Sequence, residues 1–94
     1  MVEIHREMGF GHSDVLRLLP SALTDHTYSI ADNQIVIAAG EQRVEIELEP
    51  EGERQIATMR VPVTTLHFRF AGYQQSEINA FMTRFLRAFQ GGGG

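Results

Sequence analysis

The sequence contains no cysteine, and this absence removes several kinds of chemistry. Without a thiol the chain cannot form a disulfide, attack a substrate with a thiolate, or bind zinc or an iron–sulfur cluster through sulfur. The lack of disulfides is compatible with a reducing compartment. The N-terminal segment alternates charged and apolar residues, unlike the continuous apolar centre of a signal peptide. We therefore expect a cytoplasmic protein.

Long hydrophobic runs and lysine are also missing. No apolar run in the sequence approaches the ~20 residues that a membrane-spanning helix needs, so no membrane partner is expected. All eight positively charged side chains are arginines, and twelve acidic residues outnumber them, which leaves a formal net charge of −4. Because nucleic-acid-binding proteins normally present a basic surface to phosphates, we expect no nucleic-acid partner.

Motifs that carry chemistry are absent as well. The histidines His5, His12, His26 and His67 show no spacing typical of a metal site. The sequence has no phosphate-binding loop, nucleophile elbow or dinucleotide fingerprint. We therefore expect no metal, no cofactor and no catalytic residue.

The chain length of 94 residues fits one compact domain. We assign residues 1–90 to a single α+β domain and expect the glycine run at 91–94 to be a disordered tail.

A short helix is predicted over residues 12–23. Ser13 is the expected N-cap, and Asp14 places negative charge at the positive end of the helix dipole. Pro20 should stop or kink the helix near Leu18. The residues expected on its apolar face are Val15, Leu16, Leu19 and Leu23.

The middle of the chain reads as a series of hairpins. Two-residue loops are predicted at Asp32-Asn33, Gly40-Glu41 and Glu51-Gly52, because each contains residues that tolerate positive φ. A fourth, weaker connection is predicted around Pro62-Val63. The pattern leaves open whether residues 2–6 add a further strand. The pairs expected on one sheet face are Tyr28 with Ile37, Ile30 with Ile35, Ile35 with Ile46, Ile37 with Val44, Val44 with Met59, Ile46 with Ala57, Met59 with Leu66, and Ala57 with Phe68.

The last segment predicts the longest helix, capped at Ser76 and stopped by Gly91. Its apolar stripe has the spacing of one helical face and contains Ile78, Phe81, Met82, Phe85, Leu86 and Phe89. The fold class predicted is therefore α+β. It is a five-stranded antiparallel meander with a short N-terminal helix and a longer C-terminal amphipathic helix packed on one sheet face.

The other sheet face is the candidate functional surface. The same pairing predicts one cross-strand row of Glu45, Thr58 and His67 and another that contains Glu47, Ile56 and Arg69. Charged side chains are common on the solvent face of an antiparallel sheet. The functional interpretation is partner recognition by these residues: Arg43, Glu45, Ile56, Thr58, Arg60, His67 and Arg69.

Within that set the three arginines, Arg43, Arg60 and Arg69, could grip an acidic group, because guanidinium matches carboxylate geometry. They are predicted to surround an apolar spot formed by Val36 and Ile56. The same strip would also fit a second copy of the chain, since mixed charges can complement their own copy.

The row of hydroxyl, imidazole and carboxylate does not make a catalytic triad, because an open sheet face offers no water-excluding pocket. The leading hypothesis is a small non-catalytic protein-interaction or accessory domain that uses its open sheet face. The alternative is a small-ligand-binding protein or enzyme with a site between the sheet and the C-terminal helix. A purely structural subunit is the third hypothesis.

Overall fold

The computed structural model describes residues 1–92. Six strands and two helices follow one another along the chain. In chain order they are β1 (Val2–Met8), α1 (His12–Ala22), β2 (Tyr28–Ala31), β3 (Gln34–Ala39), β4 (Gln42–Leu48), β5 (Gly52–Ile56), β6 (Met59–Ala71) and α2 (Gln75–Gly92).

The main sheet has the strand order β1-β6-β4-β3-β2, and every neighbouring pair is antiparallel. The N-terminal residues do form a strand, since β1 pairs along its whole length with β6, from Val2 opposite Phe70 to Met8 opposite Thr64. The sheet therefore gains an edge strand whose existence the sequence pattern left open. The remaining strand, β5, pairs only with the first part of β6.

The first two predicted hairpins are confirmed with their registers. Ile30 lies opposite Ile35 on β2 and β3, and Ile37 lies opposite Val44 on β3 and β4. Both loops use positive φ as expected: the angle is 56° at Asp32 and 62° at Gly40.

The register predicted for the next two strands is wrong. β4 pairs directly with β6, so that Val44 lies opposite Phe70 and Ile46 opposite Phe68. No turn forms at Glu51-Gly52 or at Pro62-Val63. The chain instead reverses at Ala57-Thr58, between β5 and β6, and Ala57 has a φ of 54°.

The physical reason is the position of this reversal, because it lets β4 and β5 run on as one side of a long ribbon against β6, with a one-residue insertion between them. Leu48 lies opposite Leu66, but Gly52 lies opposite Val63, so three residues (49–51) on one strand face two (64–65) on the other. An extra residue of this kind is a β-bulge. Because side chains alternate with a period of two, the bulge turns β5 over relative to β4, and simple alternation cannot reveal this.

Helix α1 begins one residue before the predicted Ser13 cap. Its N-cap is Gly11, which provides no side-chain hydrogen bond. The Glu51 carboxylate takes over this role, because its Oε1 accepts a hydrogen bond from the backbone N–H of His12 at 2.7 Å. A distant carboxylate thus satisfies a free N–H at the positive end of the helix dipole.

Pro20 lies inside α1, which continues to Ala22, so the predicted stop near Leu18 is wrong. The packing of the last turn onto the core explains this, since Leu19, Ala22 and Leu23 are all buried. The predicted apolar face also needs one correction. Leu18 is buried, whereas Leu16 is 39% exposed.

Helix α2 begins at Gln75, so Ser76 does not cap it. The Glu77 side chain reaches back instead, and its Oε1 accepts a hydrogen bond from the backbone N–H of Gln74 at 2.9 Å. The helix continues to Gly92, one residue beyond the stop predicted at Gly91. Residues 93–94 lie outside the described residues, and the disordered tail stays a prediction.

The core lies between the helices and one face of the sheet, which confirms the α+β class with two helices packed on an antiparallel sheet. The α2 stripe is buried as predicted at Ile78, Phe81, Met82, Phe85 and Phe89, and Leu86 is partly buried. Phenylalanine rings join the layers. The ring centroids of Phe68 and Phe85 lie 5.2 Å apart, and those of Phe70 and Phe81 lie 5.4 Å apart, both edge-to-face.

We expect Phe85→Ala to lower the free energy of unfolding by about 3–5 kcal/mol, because it removes a buried ring from this joint. Leu16→Ala, on the exposed side of α1, should cost less than about 1 kcal/mol. Chemical denaturation of both variants measures the difference, and equal losses would show that Phe85 does not hold the layers together.

Two glycines offer a matched test of backbone packing. Gly40 and Gly72 both have positive φ, 62° and 79°, but only at Gly72 would an added Cβ collide with a backbone atom, the oxygen of Glu41. Gly40→Ala should cost about 1–2 kcal/mol of stability through backbone strain alone. Gly72→Ala should cost a further ~1–3 kcal/mol, because the loop must also move. Thermal unfolding measures the difference. Equal melting temperatures for the two variants would contradict the close approach of Gly72 to the Glu41 oxygen.

Candidate functional site

The sheet face opposite the helices carries charged side chains from its three adjacent strands β1, β6 and β4. We call it the open face. Because side chains alternate along a strand, these residues lie on the opposite side from the buried ones. Its charged and polar members are Glu3, His5 and Glu7 on β1, Thr65, His67 and Arg69 on β6, and Arg43, Glu45 and Glu47 on β4.

The rows on this face differ from the predicted ones. Arg69 lies opposite Glu45, and His67 lies opposite Glu47. Thr58 is in the turn between β5 and β6, so the predicted row that joined it to Glu45 and His67 does not form. The structure brings together Arg43, Glu45, His67 and Arg69 from the predicted set and leaves Ile56, Thr58 and Arg60 on a separate hairpin.

Arg69 is the centre of a hydrogen-bonded network on the open face. Its Nε donates to Glu45 Oε1 at 3.3 Å, and its Nη2 donates to Glu47 Oε1 at 3.3 Å. Its Nη1 lies 3.1 Å from Nδ1 of His67. The guanidinium therefore donates hydrogen bonds to groups of its own chain, which leaves it less able to bind an outside anion.

His67 connects this network to the edge strand. Its Nε2 lies 2.6 Å from Glu3 Oε1, and its ring stacks on His5 with a centroid separation of 4.0 Å. Arginine only donates hydrogen bonds, so Nδ1 must be the acceptor from Arg69. The ring proton is then on Nε2, where it is donated to Glu3. Glu3 and His5 were not in the predicted set, because their strand was not recognised.

The electrostatics of Glu45 follow from its two arginine neighbours. Hydrogen bonds from Arg43, whose Nε lies 2.9 Å from Oε2, and from Arg69 hold the pKa of Glu45 below its ordinary value of 4.5. The reciprocal hydrogen bond with Glu45 raises the pKa of Arg69. The two charges stabilise each other in their ionised forms.

The β5–β6 hairpin is the second part of the candidate site. We call residues 52–63 the arm. It projects from the sheet and contributes to the elongated shape of the molecule, whose principal extents are 47, 23 and 23 Å. Ile56 lies opposite Met59 at its end, and these side chains are 55% and 65% exposed.

The two faces of the arm differ in chemistry. The cross-strand pairing places these side chains on one face: Arg54, Ile56, Met59, Val61 and Val63. Arg54 forms an ion pair with Glu7 of β1, so its charge is compensated. Arg60 lies on the other face, opposite Gln55, and makes no ion pair within residues 1–92.

The predicted apolar spot of Val36 and Ile56 does not exist. Val36 lies opposite Glu45 in the main sheet, whereas Ile56 is at the end of the arm. They are separated because β4 pairs with β6 and not with β5. The part of the sequence from which the arm could have been recognised is the run from Glu49 to Arg60. In the structure this run buries no side chain.

Grooves on the molecule are shallow. One of about 260 Å³ lies between the end of α1 and α2 and is lined by Asp25, His26, Arg84 and Arg87 among others. It is not the predicted position between sheet and α2, which the phenylalanine rings occupy. Within residues 1–92 no three histidine or acidic side chains come together as a metal site would require, and no helix has the length and apolarity to cross a membrane.

Comparison with models of known protein families and with curated proteins finds no match to this chain.

The lowered pKa of Glu45 makes a prediction about acid stability. Ionised Glu45 stabilises the fold above its unfolded-state pKa, near 4.5, and this contribution is lost as the pH falls through the lower folded-state pKa. Glu45→Gln should therefore be less stable than the original chain at pH 7, and the gap should close below pH 4. Urea unfolding across this range, with Glu53→Gln as the control for a carboxylate without an ion pair, measures it. A gap that stays constant with pH would contradict the network.

Proposed function

We propose that this protein is a non-catalytic protein-binding domain that docks a partner protein through its open face and arm. The single observation that carries the proposal is the exposure of Ile56 and Met59 at the end of the projecting arm. Large apolar side chains that are adjacent and more than half exposed are typical of contact surfaces.

The arm is built in a way that favours a partner. A two-stranded ribbon is at best marginally stable by itself in water. The arm has no third strand among the described residues, and Pro62 within it fits an edge position, since proline cannot donate to a further strand. Covering one large apolar side chain contributes about 1.5–3 kcal/mol. A complex in which the partner covers the end of the arm would be stabilised by this amount, and the ribbon would become ordered.

The open face suits the polar surroundings of such a contact. Its central charges are compensated by one another, because Arg69 bonds Glu45 and Glu47 while His67 bonds Glu3. Removing water from a compensated network costs less free energy than removing it from an isolated charge. The network also presents fixed polar groups beside the apolar end of the arm. We therefore assign affinity to the arm and orientation to the network.

The geometry also supports a binding role over a catalytic one. Both ring nitrogens of His67 are engaged, one with Arg69 and the other with Glu3, so neither is directed at a nucleophile. The space between the sheet and α2 is filled by rings such as Phe81 and Phe85. The cysteine-free composition supports a cytoplasmic setting for the partner.

Affinity purification from the native host tests the proposal with three baits: the original chain, Ile56→Glu and Leu16→Glu. Both substitutions place a carboxylate at an exposed apolar position, but Leu16 belongs to α1 and not to the arm. The partner should be recovered by the original chain and by Leu16→Glu, and its yield should fall at least about tenfold with Ile56→Glu, the loss expected for a contact residue. Equal recovery by all three baits would refute the arm as the contact.

A further inference from the structure

The sheet has two edges, and they differ in length. At one end β2 contributes four residues, and at the other β1 contributes seven. Short edge strands are one way in which proteins prevent edge-to-edge pairing, and charged side chains are another. β1 is long, and among the described residues no strand pairs with its outer edge. Its protection therefore depends on its charges.

The polar side chains on β1 can complement those of a second copy. The strand carries the charged residues Glu3, Arg6 and Glu7 and the hydrogen-bonding ring of His5 between apolar residues. In an antiparallel strand pair, residues opposite each other lie on the same sheet face. When the two strands are identical and related by a twofold axis, one residue must therefore lie opposite its own copy, and the axis passes between these two. Each choice of central residue then fixes which charges meet.

We propose that two copies of this chain associate by antiparallel pairing of their β1 edges about a twofold axis at Ile4. This inference uses a surface different from the arm and goes beyond the proposed function. In this register Glu3 of each copy faces His5 of the other, and Val2 faces Arg6 of the other. Pairing here makes the short β2 strands the two ends of the joined main sheet.

The neighbouring registers are less favourable. An axis at His5 places Glu3 opposite Glu7 twice, and an axis at Glu3 places that carboxylate opposite its own copy. An axis at Arg6 also places His5 opposite Glu7, but it sets two guanidinium groups directly against each other. Like charges directly opposite one another destabilise strand pairing, so the charge pattern selects the Ile4 register.

The burial of apolar side chains also favours the Ile4 register. Val2 and Ile4 are on the helix side of β1, where Val2 is 40% exposed and Ile4 is partly buried. Pairing about Ile4 brings the two Ile4 side chains together and lets the hydrocarbon stem of Arg6 cover Val2 of the other copy. A contact of one strand pair is small compared with a standard interface, so we expect dissociation in the micromolar range.

Sedimentation equilibrium of the full chain over increasing concentration tests the inference. The original chain should approach twice its mass of 10.6 kDa at high concentration. Val2→Arg should weaken dimerisation roughly tenfold, because it sets two arginine pairs against each other. Val2→Glu should strengthen it, and Val2→Arg with Arg6→Glu should restore it. Neither position forms an ion pair within residues 1–92, and circular dichroism checks that each variant is folded.

A chain that stays monomeric at every concentration would overturn the inference, and so would a dimer that Val2→Arg leaves unchanged. Ile56→Glu should have no effect on the dimer. If it dissociates the dimer instead, the arm is the self-contact and the β1 register is wrong.

Discussion

The pairing of β6 with three other strands is the constraint on which the rest of the molecule depends. Its thirteen residues bond to β1 on one side and to β4 and β5 on the other. Phe68 and Phe70, near its end, are fully buried and meet the rings of Phe85 and Phe81 on α2. Because the central strand also carries the central rings, sheet order and helix position are determined together.

The same central position accounts for the chemistry of the open face. His67 and Arg69 lie on β6, so carboxylates reach them from both neighbouring strands, Glu3 from β1 and Glu45 and Glu47 from β4. Opposite charges on adjacent strands attract across the short interstrand distance. The result is a network in which His67 and Arg69 bond to carboxylates on both neighbouring strands.

The bulge at residues 49–51 has consequences in two directions. It turns β5 over, so that Ile56 lies on the same side of the ribbon as the open face. It also places Glu51 at the start of α1 and brings the Glu49 carbonyl oxygen within 2.7 Å of His12 Nε2. The segment that contains the inserted residue therefore also anchors the N-terminal helix to the base of the arm. Bulges commonly redirect side chains near functional positions in this way.

Local sequence determined the elements whose partners are close in the chain. The hairpins at Asp32-Asn33 and Gly40-Glu41 could be predicted because a two-residue loop sets the register of its own strands. The α2 stripe from Ile78 to Phe89 could be predicted because a helix displays its periodicity along the chain. These elements also determined the fold class and placed Glu45 on the open face.

Tertiary structure alone decided the contacts between distant segments. β1 meets β6 across some sixty residues, so nothing near His5 indicates that it stacks on His67. The end of α1 depends on core packing that outweighs Pro20, and its start depends on the Glu51 carboxylate. The bulge shifts the register of β5 by one residue. The alternation of side chains along β5 cannot reveal this shift, because the strand is acceptable with either set of alternate side chains facing the helices. For these reasons the sequence pattern found Arg43, Glu45, His67 and Arg69 of the open face but not Glu3 and His5, and only the folded chain separated the Arg69 network from the apolar arm.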